Sequence, residues 1–278
     1  MSRSFIASCC VATLALLGTG CSCGTDAPAA GDRDGSTTGT IDGSSIDGST
    51  FIPTEGGIIG APGEPNELCP EGCQCSDGID NDGDGQVDGM DAECTGPYDN
   101  DEGSYATGIP GDNVDEAWQD CFFDGNSGAG DDGCRYRHGC LTGELPPEHR
   151  DCQVSAACIE FCAPRTPNGC DCFGCCDVTS SDGSIVSVFL VAGCSLENVE
   201  DEAACPRCTR STECDNECGT CELCPGRTAA DLPPECYPPD VDGGMPMYTC
   251  DDGTVCATTA DCPTDYYCQL GCCAPTII

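Results

Sequence analysis

Large apolar residues along this chain are few and grouped, and the intervals between them are filled with Gly, Asp, Ser, Thr, Pro and Cys. The first group, Phe5 to Leu17, follows the short basic start Met1-Ser-Arg3. About 13 apolar residues are too few to span a bilayer, and a run of this kind reads as a secretory signal. The most apolar later segment, SIVSVFLVAG from Ser184 to Gly193, is β-branched and predicts a strand. Ser155 to Ala163 predicts a helix on which Cys158 and Cys162, four apart, share a face. Asn113 predicts the cap of a helix over Val114 to Phe122, with Asp115 and Glu116 in its first turn. Trp118, Phe122, Phe123, Phe161 and Phe189 make Thr95 to Leu196 the most globular stretch, and the rest is turn-rich.

Cysteine changes this picture most. There are 32 in 278 residues, the composition of a disulfide scaffold made in an oxidising compartment. Cys9 and Cys10 leave with the signal, and the residues from Cys69 to Cys273 include 28, enough for 14 bridges. Cys23 is left over, either free or in an intermolecular bond. The fold class that follows is small, disulfide-rich and mostly irregular. A mixed α+β central domain has short helices and few strands, and two C-terminal cysteine knots follow it. The expected segments are a signal at 1–20, a disordered tether at 21–68 and an acidic module at 69–96. A central domain at 97–200 and cysteine-rich modules at 201–236 and 237–278 complete the chain. The tether, with its TIDGSSIDGST near-repeat, is too polar to repay the entropy of ordering and spans roughly 40 Å.

The formal charge is −40, with nine basic residues, all Arg, against 49 acidic ones. Phosphate backbones bind clustered cations, so nucleic acid is excluded as a natural partner, and an anionic membrane surface is excluded on the same ground. Self-repulsion of this size opposes a compact state. Disulfides and a bound cation are the available remedies.

The candidate cation loop lies between Cys75 and Cys94, which are expected to bridge. Asp80, Asp82, Asp84, Asp88 and Asp91 fall at the spacing D-x-D-x-D-G-x-x-D-x-x-D. Ca²⁺ takes about six to eight oxygens, and carboxylates at loop positions one, three, five, nine and twelve can wrap it together with one carbonyl, here that of Gln86. Gly85 stands where the loop turns with positive φ, and Val87 is placed to pin the loop to a core. Asp91 is one methylene shorter than the closing Glu of an EF-hand, and no amphipathic helix precedes Asp80. The pattern instead resembles the thrombospondin type 3 calcium repeat and the acidic metal-binding motif of many bacterial surface proteins, over about 20 residues, so the resemblance carries a site and not a fold.

A second candidate metal loop is FFDGNSGAGDDGC, with Asp124, Asn126, Asp131 and Asp132 as oxygen donors. Cys170, Cys172, Cys175 and Cys176 could form a soft thiolate cluster for Zn²⁺ or Cu(I), as could Cys205, Cys208, Cys221 and Cys224. In an oxidising compartment disulfides are the expectation, with Cys158 and Cys162 as partners of the first group. His138 and His149, the two histidines, lie near Arg135, Arg137, Arg150 and Arg165 in a mildly basic island that reads either as an anion site or as local pairing with Asp and Glu. No nucleophile elbow, HExxH or phosphate loop is present.

LLGTGCSC at Leu16 to Cys23 resembles a bacterial lipobox with cleavage before Cys21, although Gly18 stands where Leu is usual. The resemblance implies lipid on Cys21, and Ser22 after it resembles lipoproteins sorted to an outer membrane. The whole architecture is similar to multi-cysteine lipoproteins of Gram-negative bacteria that carry one DNDGDG-type motif after a low-complexity tether. The expectation is a lipid-anchored, cell-envelope, calcium-stabilised binding or structural protein rather than an enzyme, with a protein or envelope partner of unknown identity. A copper- or zinc-sequestering protein is one alternative, a secreted hydrolase using His138 or His149 another, and secretion without lipid a third.

Overall fold

The computed structural model describes residues 65–66, 69–108, 114, 117–125, 133–237, 247–250 and 253–276. The expected signal, Cys21, Cys23, nearly all of the expected tether, and Asn113, Asp115, Glu116, Asn126, Asp131 and Asp132 lie outside the described residues.

The regular structure among the described residues is three two-stranded antiparallel sheets, two short α-helices and scattered 3-10 turns, a small, cysteine-rich, mostly irregular fold. β1 (Trp118–Gln119) pairs with β2 (Tyr136–Arg137), followed at once by α1 (His138–Leu141). The helix expected over Val114 to Phe122 is therefore not formed, since Trp118 and Gln119 are strand and Phe122–Asp124 is a 3-10 turn. A helix that short is marginal alone. Burial of Gln119 and pairing with β2 hold Trp118–Gln119 extended instead, and the bridge from Cys121 to Cys162 fixes the chain just before the 3-10 turn.

α2 (Ala156–Phe161) forms as expected, capped by the Ser155 hydroxyl accepting from the Cys158 N–H at 3.2 Å. Cys158 and Cys162 do not reach the 170–176 segment, however. They bridge Cys134 and Cys121, because the face they share is turned to that earlier stretch. β4 (Ile185–Phe189) realises the expected strand and pairs with β3 (Cys175–Thr179), with Val178 and Val188 fully buried between the layers of the core. β5 (Tyr266–Gln269) and β6 (Cys272–Pro275) form the C-terminal hairpin.

Fourteen disulfides pair every cysteine from Cys69 to Cys273. The expected Cys75–Cys94 bridge is among them. Cys250–Cys272, Cys256–Cys268 and Cys262–Cys273 interlace within one short stretch. In the stretch from Cys205 to Cys224, by contrast, Cys205, Cys208 and Cys214 tie back to Cys194, Cys175 and Cys172. Half-cystines also fill much of the core around Tyr136, Leu141, Phe173 and Phe189, which is how a chain this poor in large apolar residues excludes water.

Buried carboxylates organise the turns between the sheets. Asp171 accepts from the N–H groups of Phe173, Cys175 and Ser211, tying the β3 entry to the 211 turn. Asp99 accepts from the backbone and hydroxyl of Thr95 and from the Asp101 N–H. Burial, working against these hydrogen bonds, pushes Asp171 up to about 7 and Asp99 up to about 8 from an ordinary 3.8. The folded protein then holds protons that the unfolded chain has released between about pH 4 and 8, so the stability from these groups is full at the acid end and lost as pH rises. Scanning calorimetry in a chelator is expected to show a melting temperature falling across that window. A flat or rising profile would mean that both groups stay ionised throughout.

Candidate metal centre

The loop from Asp77 to Asp91 is built by a local rule. Asp82, Asp84 and Asp91 each turn one carboxylate oxygen onto the N–H two residues ahead, at 2.9, 2.7 and 2.8 Å, the turn that Asp makes most readily. Gly83 and Gly85 take φ of +85° and +100°, so the chain reverses there without strain. Asp80 lies inside this curl and accepts from the N–H groups of Gly83 and Gly85. Asp88 closes the base by accepting from the Gly78 N–H at 3.0 Å. Buried Glu102 braces both sides by accepting from the N–H groups of Asn81 and Asp88. The Cys75–Cys94 bridge encloses the whole.

This curl brings one carboxylate oxygen from each of Asp82, Asp84, Asp91 and Glu93 within 4.8 Å of the others. Three of these were expected from the spacing, and Glu93 was not. Asp80 and Asp88 are not in this group of four; both oxygens of Asp80 and one of Asp88 accept backbone N–H groups of the loop, and Gln86, expected to offer its carbonyl, donates its N–H and side-chain amide to Asp84. Val87 is only half-buried, and Met90 packs against the neighbouring apolar clusters. A signal for Glu93 existed. Asp91-Ala-Glu93 repeats the two-residue spacing of Asp80, Asp82 and Asp84, but a twelve-position template stops at Asp91.

The cluster is half-embedded. Asp82 and Asp84 are exposed, whereas Asp91 is 0% and Glu93 4% exposed. Asp91 Oδ2 is buried without a hydrogen-bond partner. Glu93 Oε1 accepts from the Leu196 N–H at 2.9 Å, which fastens the loop to the stretch following β4. Burial first, and then the neighbouring carboxylates, push Asp91 up to about 8 and Glu93 up to about 7. None of the ion pairs among the described residues involves these four groups. Four converging carboxylates with one orphaned buried oxygen are a hard-oxygen donor set, which fits Ca²⁺, and their mutual repulsion is relieved by a cation or by protons.

The other candidates fare differently. The sulfurs of Cys256, Cys262 and Cys268 also converge, but all three are in disulfides. Cys170, Cys172, Cys175, Cys176, Cys205, Cys208, Cys221 and Cys224 are likewise oxidised and offer no thiolate. Asp124 is buried at the end of its 3-10 turn, and the other expected donors of that loop, Asn126, Asp131 and Asp132, lie outside the described residues. His138 packs tilted on Phe189, and His149 accepts from the Asp151 N–H. Beside the exit of the acidic loop opens a cleft of about 540 Å³ lined by Val87, Met90, Leu223, Tyr248 and Leu270. No helix among the described residues is long and apolar enough to cross a membrane. Comparison of the chain with models of protein families, with curated proteins and with solved structures gives no match.

Proposed function

We propose a lipid-anchored protein of the cell envelope whose disulfide-bonded domain is stabilised by Ca²⁺ and acts in binding or structure. Asp91 carries the calcium half of this reading, because its fully buried Oδ2 lacks a partner while three other carboxylates converge on it. Asp82, Asp84, Asp91 and Glu93 would hold the ion, which would neutralise charge that this acidic chain otherwise confines. The anchor rests on the sequence around Cys21, and the tether is long enough to hold the domain clear of the lipid head groups. The complete pairing from Cys69 to Cys273 weighs against copper or zinc sequestration by thiolates.

Native mass spectrometry of the oxidised mature protein, with and without Ca²⁺, tests the reading. The expected species retains one Ca²⁺ with no free thiol between Cys69 and Cys273. Retained zinc or copper with free thiols, or no calcium at all, would sink it.

A further inference from the structure

Seven of the nine arginines lie among the described residues, and five of them have a clear structural employment. Arg150 pairs with Asp151, and Arg210 pairs with Asp177 and Asp215. Arg165, Arg207 and Arg227 donate to backbone carbonyls. Arg135 and Arg137 do neither. Among the described residues their guanidinium groups contact the Trp118 ring, at 4.8 and 5.0 Å from its centroid, and form no ion pair. Among the described residues Arg135 and Arg137 are thus the arginines with neither a carboxylate nor a carbonyl partner, in a chain with 49 acidic residues against nine basic ones.

The β1–β2 register explains why they gather. Trp118 lies opposite Arg137 and Gln119 opposite Tyr136. Gln119 and Tyr136 are buried, and the Tyr136 ring stacks on Phe173 at 4.1 Å, which fixes the inward face. Alternation then puts Trp118, Arg137 and, two residues earlier, Arg135 on the outward face. Arg135 is exposed and Arg137 half-exposed. Cation–π contact with the indole gathers the two guanidinium groups, each a planar fork of N–H donors, about one ring. Such a fork matches the oxygens of a carboxylate or phosphate, and two forks balance two negative charges.

We propose that Arg135, Arg137 and Trp118 form a binding site for a small, doubly charged oxyanion of the phosphate type, independent of the cation centre. The ligand is small because a polyanion would extend over more than the screening length of about 8 Å at physiological salt and meet the field of the rest of this acidic chain.

Trp118 is the sole tryptophan, so its emission reports on this site alone. The oxidised protein is titrated with inorganic phosphate and with glycerol phosphate, with calcium too dilute to precipitate either. Sodium chloride at equal ionic strength is the blank, and calorimetry is run in parallel. A saturable change in emission with phosphate and none with chloride is expected, weakened about tenfold by Arg135→Gln or Arg137→Gln and lost in the double variant. Tighter binding of glycerol phosphate would identify an ester as the natural form, and equal binding the phosphate group by itself. Circular dichroism and an unchanged response to Ca²⁺ check that the variants are folded. Absence of both heat and emission change in the parent, or parental affinity in the double variant, would overturn the proposal.

Discussion

Replacing Asp91 by Asn is expected to shift stability in opposite directions with and without Ca²⁺. Asparagine keeps an oxygen to accept from the Glu93 N–H but removes one of four converging carboxylates. In a chelator at neutral pH the variant should melt above the parent, because Asp91, pushed up to about 8 by burial among like charges, must take up a proton on folding and Asn need not. With Ca²⁺ at about 100 times its dissociation constant, the parent gains about 2.7 kcal/mol from ligand binding. For a domain of this size that amounts to about 5–10 °C in melting temperature, and the variant should lose nearly all of it. Thermal melts of both proteins in Ca²⁺ and in chelator make the comparison. An Asp91→Asn protein that responds to Ca²⁺ as the parent does would place the ion elsewhere. The comparison isolates binding from folding because each protein serves as its own reference.

Gly89→Ala should be the most damaging single substitution next to that centre. A Cβ there would lie 1.8 Å from the Cys268 carbonyl oxygen and 2.5 Å from the Tyr267 ring. Neither can retreat easily. The Gly89 carbonyl accepts from the Leu270 N–H, the Tyr267 hydroxyl donates to the Cys75 carbonyl, and Cys268 is bridged to Cys256. Backbone overlap of this kind costs about 3 kcal/mol or more, and the loop can relieve it only by separating from the β5–β6 hairpin. Chemical denaturation should show the loss, and calcium affinity should fall with it, since Gly89 lies two residues before Asp91. A variant with parental stability and affinity would mean that the hairpin does not support the loop. Gly83→Ala offers a contrast in cause, because open space surrounds its Cβ and only the positive φ is strained.

These two sites also show where the chain's own pattern suffices. The turn of the acidic loop follows from Asp and Gly acting on their nearest neighbours, so the spacing already placed Asp82, Asp84 and Asp91 on one curl, where their carboxylates converge. Ser155 caps α2 through the same short reach, and the β-branched run at Ile185–Phe189 forms the strand it predicts. Glu93 joins the centre because the chain past Asp91 is held by the Cys75–Cys94 bridge and by the Leu196 N–H, a contact across 103 residues. Trp118 was expected in a helix, yet pairing with Tyr136–Arg137 made it strand and exposed it to two arginines.

By itself, the sequence determined the properties that depend on composition and local spacing. These are a disulfide-rich, irregular fold, the number of half-cystines to be paired, the turns of the acidic loop, one short helix and one strand. The tertiary structure alone decided which cysteines meet, which carboxylates converge and which arginines gather on Trp118. Cysteines are chemically identical, so their pairing is selected by the approach of distant segments, as when Cys158 meets Cys134 and Cys172 meets Cys214. Local turns have one favoured geometry for a given pair of residues, whereas long-range contacts are chosen by how the whole chain excludes water and separates like charge.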